Sequence, residues 1–207
     1  RRLHDVSARE VPREPDRAPA PVVALCDTSR RGRQACWRAA RVARAWGTSV
    51  RLLHAVPRAE QEADARQALD GLARELQADL AVPAEAQVVV GDVLHEARRA
   101  AQDAALVVIA PGGGNTLREW IMGTQAERLI RLLRVPVLVV KQSSTAPYRR
   151  VLVPVDLEPG SAEAVQLAGT LSREPDAIEV LHVVDAGAEL TVRAGEGPVP
   201  ARALQRL

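Results

Sequence analysis

Short runs of Val, Leu and Ile alternate along the chain with longer stretches in which Ala and Leu recur at helical spacing among charged residues. The first kind suits a strand buried on both faces, the second an amphipathic helix. Val22-Val23-Ala24-Leu25-Cys26 is the first such run, and Asp27-Thr28-Ser29 behind it are all good helix caps. From Arg31 to Trp46, Ala35, Ala39, Ala43 and Trp46 mark one face and Arg33, Arg38, Arg41 and Arg44 the others, with Gly47 as the stop. Val50 to Val56 predicts a second strand closed by Pro57, and Arg58 to Leu80 a second helix. Val88 to Val90, ended by Gly91-Asp92, predicts a third strand; Leu94, Ala97 and Ala101 predict a third helix. A fourth strand is expected over Ala105 to Ala110, a glycine-rich loop next, a helix from about Thr124 to Leu133, and a fifth strand over Val135 to Val140.

Strict alternation of strand and helix predicts a parallel sheet with right-handed crossovers. The expected fold is α/β, a Rossmann-like three-layer sandwich on a five-stranded parallel sheet over residues 21–142, preceded by a Pro- and charge-rich flexible tail over 1–20. A repeat then begins. Val151-Leu152-Val153-Pro154-Val155-Asp156 restates the first strand and its Asp, Ala162 to Leu171 restates the first helix, and Ile178 to Val184 restates Val50 to Val56 down to the Leu-His pair. Residues 148–207 are therefore expected to form a partial second copy without counterparts of residues 86–141, completed either by a longer chain or by another molecule's edge.

Composition narrows the function classes. The 28 basic and 26 acidic residues leave a formal charge of +2, which speaks against a dedicated nucleic-acid surface. Cys26 and Cys36 have no C-x-x-C spacing and no His cluster beside them, so a zinc site or a disulfide framework is not expected and a cytoplasmic setting is. No apolar run is long enough for a membrane helix. With no Phe in the chain, the core has to be built from Val, Leu, Ile and Ala.

In a doubly wound sheet, ligands bind beyond the carboxyl ends of the strands. Asp27, Ala55-Val56 and the segment Ala110 to Thr124 all fall there. Glycines in that segment let a backbone approach an anion and present N–H groups to it. Gly123-Thr124 directly precedes a helix, whose N-terminus favours phosphate. The same residues also serve as plain turn formers and caps, and the residues alone leave both roles open. No G-x-x-x-x-G-K-[ST], complete G-x-G-x-x-G or G-x-S-x-G run is present. His54 and His182 occupy equivalent strand ends, where a packing or loop hydrogen-bond role is commoner than metal or acid/base work. Asp27 and Asp156 read first as capping or ligand-hydroxyl residues, because neither has a partner acid or base nearby in sequence.

The segment Ala110 to Thr124 resembles the signature of the universal stress protein family, G-x-x-G followed nine residues later by Gly and then Ser or Thr. Gly113, Gly123 and Thr124 match, while Ala110 stands where the first Gly is expected. The Asp-ended first strand, the Leu-Leu-His strand, Gly91-Asp92 and Pro136-Val137-Leu138-Val139-Val140 resemble the family too. This resemblance implies an ATP or adenine-nucleotide site. Leu25, Cys26 and Asp27 would line the base and ribose end, and Ala55 would meet the adenine through its backbone. Ala110, Gly113, Gly123, Thr124 and Gln125 would surround the phosphates, with Mg held by the nucleotide itself.

The family holds members that bind ATP at this loop and members that do not. The first reading is therefore an adenine-nucleotide-binding stress-response regulator, not an enzyme, with any ATP hydrolysis slow and incidental. The second is an interaction module without nucleotide, which Ala110 favours and Gly113, Gly123 and Thr124 oppose. A nucleotidyl transferase would need a catalytic His or Lys pair near the first loop, and Asp27-Thr28-Ser29 supplies none. The resemblance further implies a homodimer through the last strand, Val135 to Lys141, whose unpaired apolar edge invites association. No nucleic-acid or membrane partner is expected.

Overall fold

The computed structural model describes residues 19–27, 29–110, 125–142, 146–156, 158–172 and 177–183. The chain divides into two compact units, Arg1–Ser143 and Ser144–Leu207. In the first unit the order is β1 (Val22–Leu25), α1 (Arg30–Trp46), β2 (Val50–Val56), α2 (Glu62–Leu80), β3 (Ala84–Val90), α3 (Val93–Ala100), β4 (Leu106–Ile109), α4 (Gln125–Leu132) and β5 (Val137–Val139). The five strands lie in the order β3-β2-β1-β4-β5. All neighbours are parallel, with Val22 level with Val50 on one side and Leu106 on the other. This is the five-stranded α/β architecture expected of the alternation. Because β2 and β3 extend the sheet one way from β1 and β4 and β5 the other, the chain switches direction between β1 and β4. That switch opens a crevice at the carboxyl ends of the two strands.

A core without Phe is built by letting helices approach closely. On α1, Ala35, Ala39 and Ala43 are fully buried, as their spacing predicts. On the sheet's other face Val23, Leu53, Val107 and Ile109 pack with Ala97, Ala100, Ala101 and Ala104 and with Leu129 and Leu133 beyond them. The central strands β1 and β4 are buried almost throughout, which is why they read as unbroken apolar runs.

The helix ends follow the local chemistry. Ser29 is the N-cap of α1 and its side chain accepts from the Gly32 amide, while Gly47 closes the helix at φ 67°. Asp92 caps α3, its Oδ1 accepting from the amides of Leu94 and His95, each at 3.0 Å.

Three boundaries depart from the apolar pattern. β3 begins at Ala84, ahead of Val88, because it is an edge strand whose first half is exposed or half-buried and so carries no apolar signature. The second helix opens through a 3-10 turn at Ala59–Gln61 before α2 proper. β5 is confined to Val137–Val139.

The second unit contains β6 (Val151–Val155), α5 (Pro159–Leu171) and β7 (Ile178–His182). β6 and β7 pair in parallel, Val151 level with Ile178. Val153 and Ala168 are buried between helix and sheet, while Leu152, Val180, Leu181 and Val183 are exposed. Among the described residues no helix is long and apolar enough to cross a membrane.

Candidate functional site

A cavity of about 730 Å³ opens at the carboxyl ends of β1, β2 and β4. Its walls include Leu25, Cys26, Asp27, Ala55 and Ala110, so five of the residues singled out by sequence meet at one place. Gln125 opens α4. Gly113, Gly123 and Thr124 lie outside the described residues.

The first wall is the turn between β1 and α1. Asp27 folds back over the start of α1, where its Oδ1 accepts from the Ser29 amide at 3.1 Å and from the Ser29 hydroxyl. The same hydroxyl accepts from the Gly32 amide at 3.1 Å. Ser29 Oγ thus donates to a carboxylate and accepts from an orphan helix amide at once. The negative carboxylate sits at the positive end of the helix dipole, a favourable placement. Gly32 leaves room for this carboxylate, since a Cβ there would lie 2.2 Å from Asp27 Oδ1 and 3.0 Å from the Asp27 amide nitrogen, and Asp27 would have to shift. Asp27 thereby braces the helix start from an exposed wall, while the cap itself is Ser29 and not the aspartate.

The second wall is the end of β2. The Cys26 amide donates to the Leu53 carbonyl at 2.8 Å, continuing the ladder one step past β1. The His54 ring returns the tie: Nδ1 lies 2.5 Å from the Cys26 carbonyl oxygen. A carbonyl only accepts, so Nδ1 carries the proton. The residue has the loop hydrogen-bond role that its strand-end position suggests. The ring also lines the cavity, which the sequence did not indicate.

Gly91, Asp92 and Val93 form a third side, and Ile109 and Leu129 the apolar floor. The Gly91 amide donates to the Val56 carbonyl at 2.9 Å, holding the ends of β2 and β3 together. Asp92 was legible as a strand end but not as a wall; its cap position before Val93-Leu94 was the available signal. Among the described residues no three His, Cys, Asp or Glu side chains gather as a metal cluster.

The second unit carries a cavity of about 650 Å³ in the equivalent place, lined by Val155, Asp156, Ser161 and His182 among others. His182 Nδ1 donates to the Val155 carbonyl at 2.8 Å, repeating the first copy's tie. The hydroxyl has moved. Ser161 aligns with Gly32, and its Oγ donates to Asp156 Oδ1 at 2.6 Å while accepting from the Asp156 amide at 3.1 Å. Together with the Glu158 amide, this hydroxyl holds the Asp156 carboxyl below its ordinary range.

The model of the universal stress protein family matches the chain over residues 20–141 and 147–206. Among solved structures, a universal stress protein from Archaeoglobus fulgidus DSM 4304 is similar at 19% identity and a TM-score of 0.67, over 83% of this chain and 71% of that one. A universal stress protein solved in complex with cAMP is similar at 23% identity and a TM-score of 0.52, over 62% of this chain and 100% of that one. Another from Archaeoglobus fulgidus is similar at 23% identity and a TM-score of 0.51, over 59% and 98%. No curated protein matches the chain.

Proposed function

The chain belongs to the universal stress protein family, and we propose that its first copy binds an adenine nucleotide at the carboxyl end of the five-stranded sheet and acts as a stress-response regulator without efficient catalysis. The observation that carries this reading is the cavity of about 730 Å³ at the switch between β1 and β4. Its volume lies within the roughly 300–1,000 Å³ of small-molecule sites, and its place is where doubly wound sheets take ligands. Apolar Leu25, Leu53 and Ile109 offer a surface for a purine, and exposed Asp27 offers a carboxylate to ribose hydroxyls. A similar fold binds cAMP, which supports an adenine nucleotide as the ligand class.

In this reading Leu25, Cys26, Asp27 and Ala55 hold the nucleoside, and Ala110, Gly113, Gly123, Thr124 and Gln125 the phosphates. ATP would carry Mg on its own phosphates. No residue is assigned as general base. The protein would therefore act through conformation or partners, with hydrolysis incidental.

Isothermal calorimetry with ATP and Mg²⁺, beside a Gly123→Asp variant, tests the reading. Micromolar binding lost in the variant supports it. Absence of binding at millimolar ATP overturns it.

The second reading is a pocket left without nucleotide on a dimeric interaction module. Ala110 in the cavity wall favours it, since its methyl group stands where the family's first glycine leaves room. β5 lies at the sheet edge and offers its unpaired side to a second copy. Sedimentation of the wild type against a Leu138→Lys variant tests the dimer: a dimer that the lysine splits supports the edge, and an unchanged mass rejects it.

A further inference from the structure

The formal charge of the whole chain is only +2, yet the fold places its charges unevenly. α1 carries Arg30, Arg31, Arg33, Arg38, Arg41 and Arg44, and neither Asp nor Glu. At 3.6 residues per turn, Arg30, Arg33, Trp37, Arg41 and Arg44 fall on one face. The opposite face, with Ala35, Ala39 and Ala43, is fully buried against the sheet. The arginines are therefore turned outward. Arg30, Arg31 and Arg44 are exposed, and Trp37 and Arg41 are half-buried. The row from Arg30 to Arg44 is about 21 Å long at 1.5 Å per residue.

The second copy provides an internal comparison. The spacing from Asp27 to Gly32 equals that from Asp156 to Ser161, which aligns α1 with α5. Pro159, Gly160, Ala162, Leu167 and Thr170 then stand at the places of Arg30, Arg31, Arg33, Arg38 and Arg41, and Gln166 at that of Trp37. α5 carries no basic residue. A bias of the whole chain toward arginine would reach both helices, and it reaches one.

Folding does not call for these charges either. Arg30 and Arg31 lie in the first turn of α1, where the positive end of the helix dipole disfavours a cation. The Arg41 guanidinium lies over the Trp37 ring, 5.4 Å from its centroid. Burial and the neighbouring Arg38 charge hold Arg41 below its ordinary range. Glu75 of α2 pairs with Arg33 at 2.7 Å. Among the described residues no ion pair engages Arg30, Arg31, Arg41 or Arg44. The face thus gathers cations without carboxylates to match them.

We propose that the outer face of α1 binds single-stranded nucleic acid, its phosphates on Arg30, Arg31, Arg41 and Arg44 and a base stacked at Trp37.

The chemistry selects this partner over other polyanions. A guanidinium stays charged and meets a phosphate through two parallel hydrogen bonds. A row of guanidiniums around an indole suits a single strand, whose backbone follows the charge while its bases stack on the ring. Arg41 already lies over the indole, and a base enters the same stack. A duplex groove admits a helix that projects from its domain, whereas α1 lies flat on the sheet beside α2. A lipid surface takes an amphipathic helix by its apolar face, and that of α1 is spent on the sheet. None of this depends on whether the cavity holds a nucleotide.

Fluorescence anisotropy of a labelled single-stranded RNA of about 20 nucleotides is measured against the full chain from about 50 to 200 mM salt. The expected result is binding that weakens with a log–log salt slope of about −2.8, four phosphate contacts at about −0.7 each. In Arg30→Gln/Arg31→Gln/Arg44→Gln the slope is expected to shrink to about −0.7. These three side chains are exposed and two of them oppose the helix dipole, so the variant keeps the fold. Trp37→Ala keeps every charge and is expected to bind about tenfold more weakly at an unchanged slope, since one base–aromatic stack is of that order. The triple variant decides alone should Trp37→Ala fail to fold. No binding at the lowest salt, or an equal slope in the triple variant, overturns the proposal. So does tighter binding of a duplex of the same length, or binding of phosphatidylserine vesicles in place of RNA. A signal that ATP–Mg²⁺ abolishes also overturns it, because the strand then occupies the cavity.

Discussion

The His54 ring lies with Nδ1 2.5 Å from the Cys26 carbonyl oxygen, tying the end of β2 to the first residue beyond β1. His182 and the Val155 carbonyl make the same tie in the second unit, at 2.8 Å. A strand end loses its ladder partner, and the imidazole supplies a donor in its place. His54→Ala is expected to destabilise the first unit by about 1–2 kcal/mol, as a part-buried carbonyl loses its donor. Urea unfolding checks it, and an unchanged midpoint would show that water replaces the ring at no cost.

Gly32 and Asp27 are coupled by space. Alanine in place of glycine normally strengthens a helix by about 1 kcal/mol. At Gly32 the added Cβ would lie 2.2 Å from Asp27 Oδ1, so the carboxylate must leave Ser29. Gly32→Ala is expected to destabilise the protein by about 1 kcal/mol, with part of that loss absent in an Asp27→Ala background, which removes the carboxylate but leaves the Asp27 amide nitrogen 3.0 Å from the new Cβ. A double-mutant cycle measures the coupling, and simple additivity would contradict this account.

Ala39 shows how tightly α1 is seated. It is fully buried against the sheet, and the approach of helix to strand depends on its small size. Ala39→Leu is expected to destabilise by about 1–3 kcal/mol through overpacking. Thermal unfolding of the variant is the check, and a raised melting temperature would reveal an unfilled space beneath the helix.

Asp156 gives the second unit a signature in acid. The Ser161 hydroxyl, the Glu158 amide, its own amide and nearby His182 favour its charged form and hold its carboxyl below the ordinary 3.8. A carboxyl depressed on folding contributes stability that is present above 3.8 and lost as pH falls through the lower, folded value. Carboxyl NMR titration is expected to place Asp156 below 3.8 and to move it upward in Ser161→Ala, because the hydrogen bond from that hydroxyl does most to favour the carboxylate. A midpoint unmoved by the substitution would reassign the cause to the backbone amides.

Much of the fold was legible because its physical causes are local. Val-rich runs identified β1, β2 and β4, and the alanine face of α1 with Gly47 behind it fixed that helix within a residue. β3 was half legible: an edge strand exposes part of its length, so Ala84 to Gln87 carry no apolar signature. At the site, Asp27, Ala55 and Ala110 were legible as strand ends and Leu25 and Cys26 through the family resemblance, and the structure brings the five to one cavity. His54 and Asp92 were not read as walls, because a strand end and a helix cap look alike whether or not a crevice lies beyond them.

The amino-acid order by itself determined the succession of strands and helices, the caps, and the repeat that places His182 and Asp156 as His54 and Asp27 are placed. These depend on propensity, periodicity and identity, which neighbouring residues carry. Tertiary structure alone decided which side chains face one another. The order β3-β2-β1-β4-β5 puts the ends of β1 and β4 side by side and so opens the cavity. The pairing of β2 beside β1 brings the His54 ring to the Cys26 carbonyl. Such meetings arise where distant segments pack, and no spacing along the chain encodes a distance across a core.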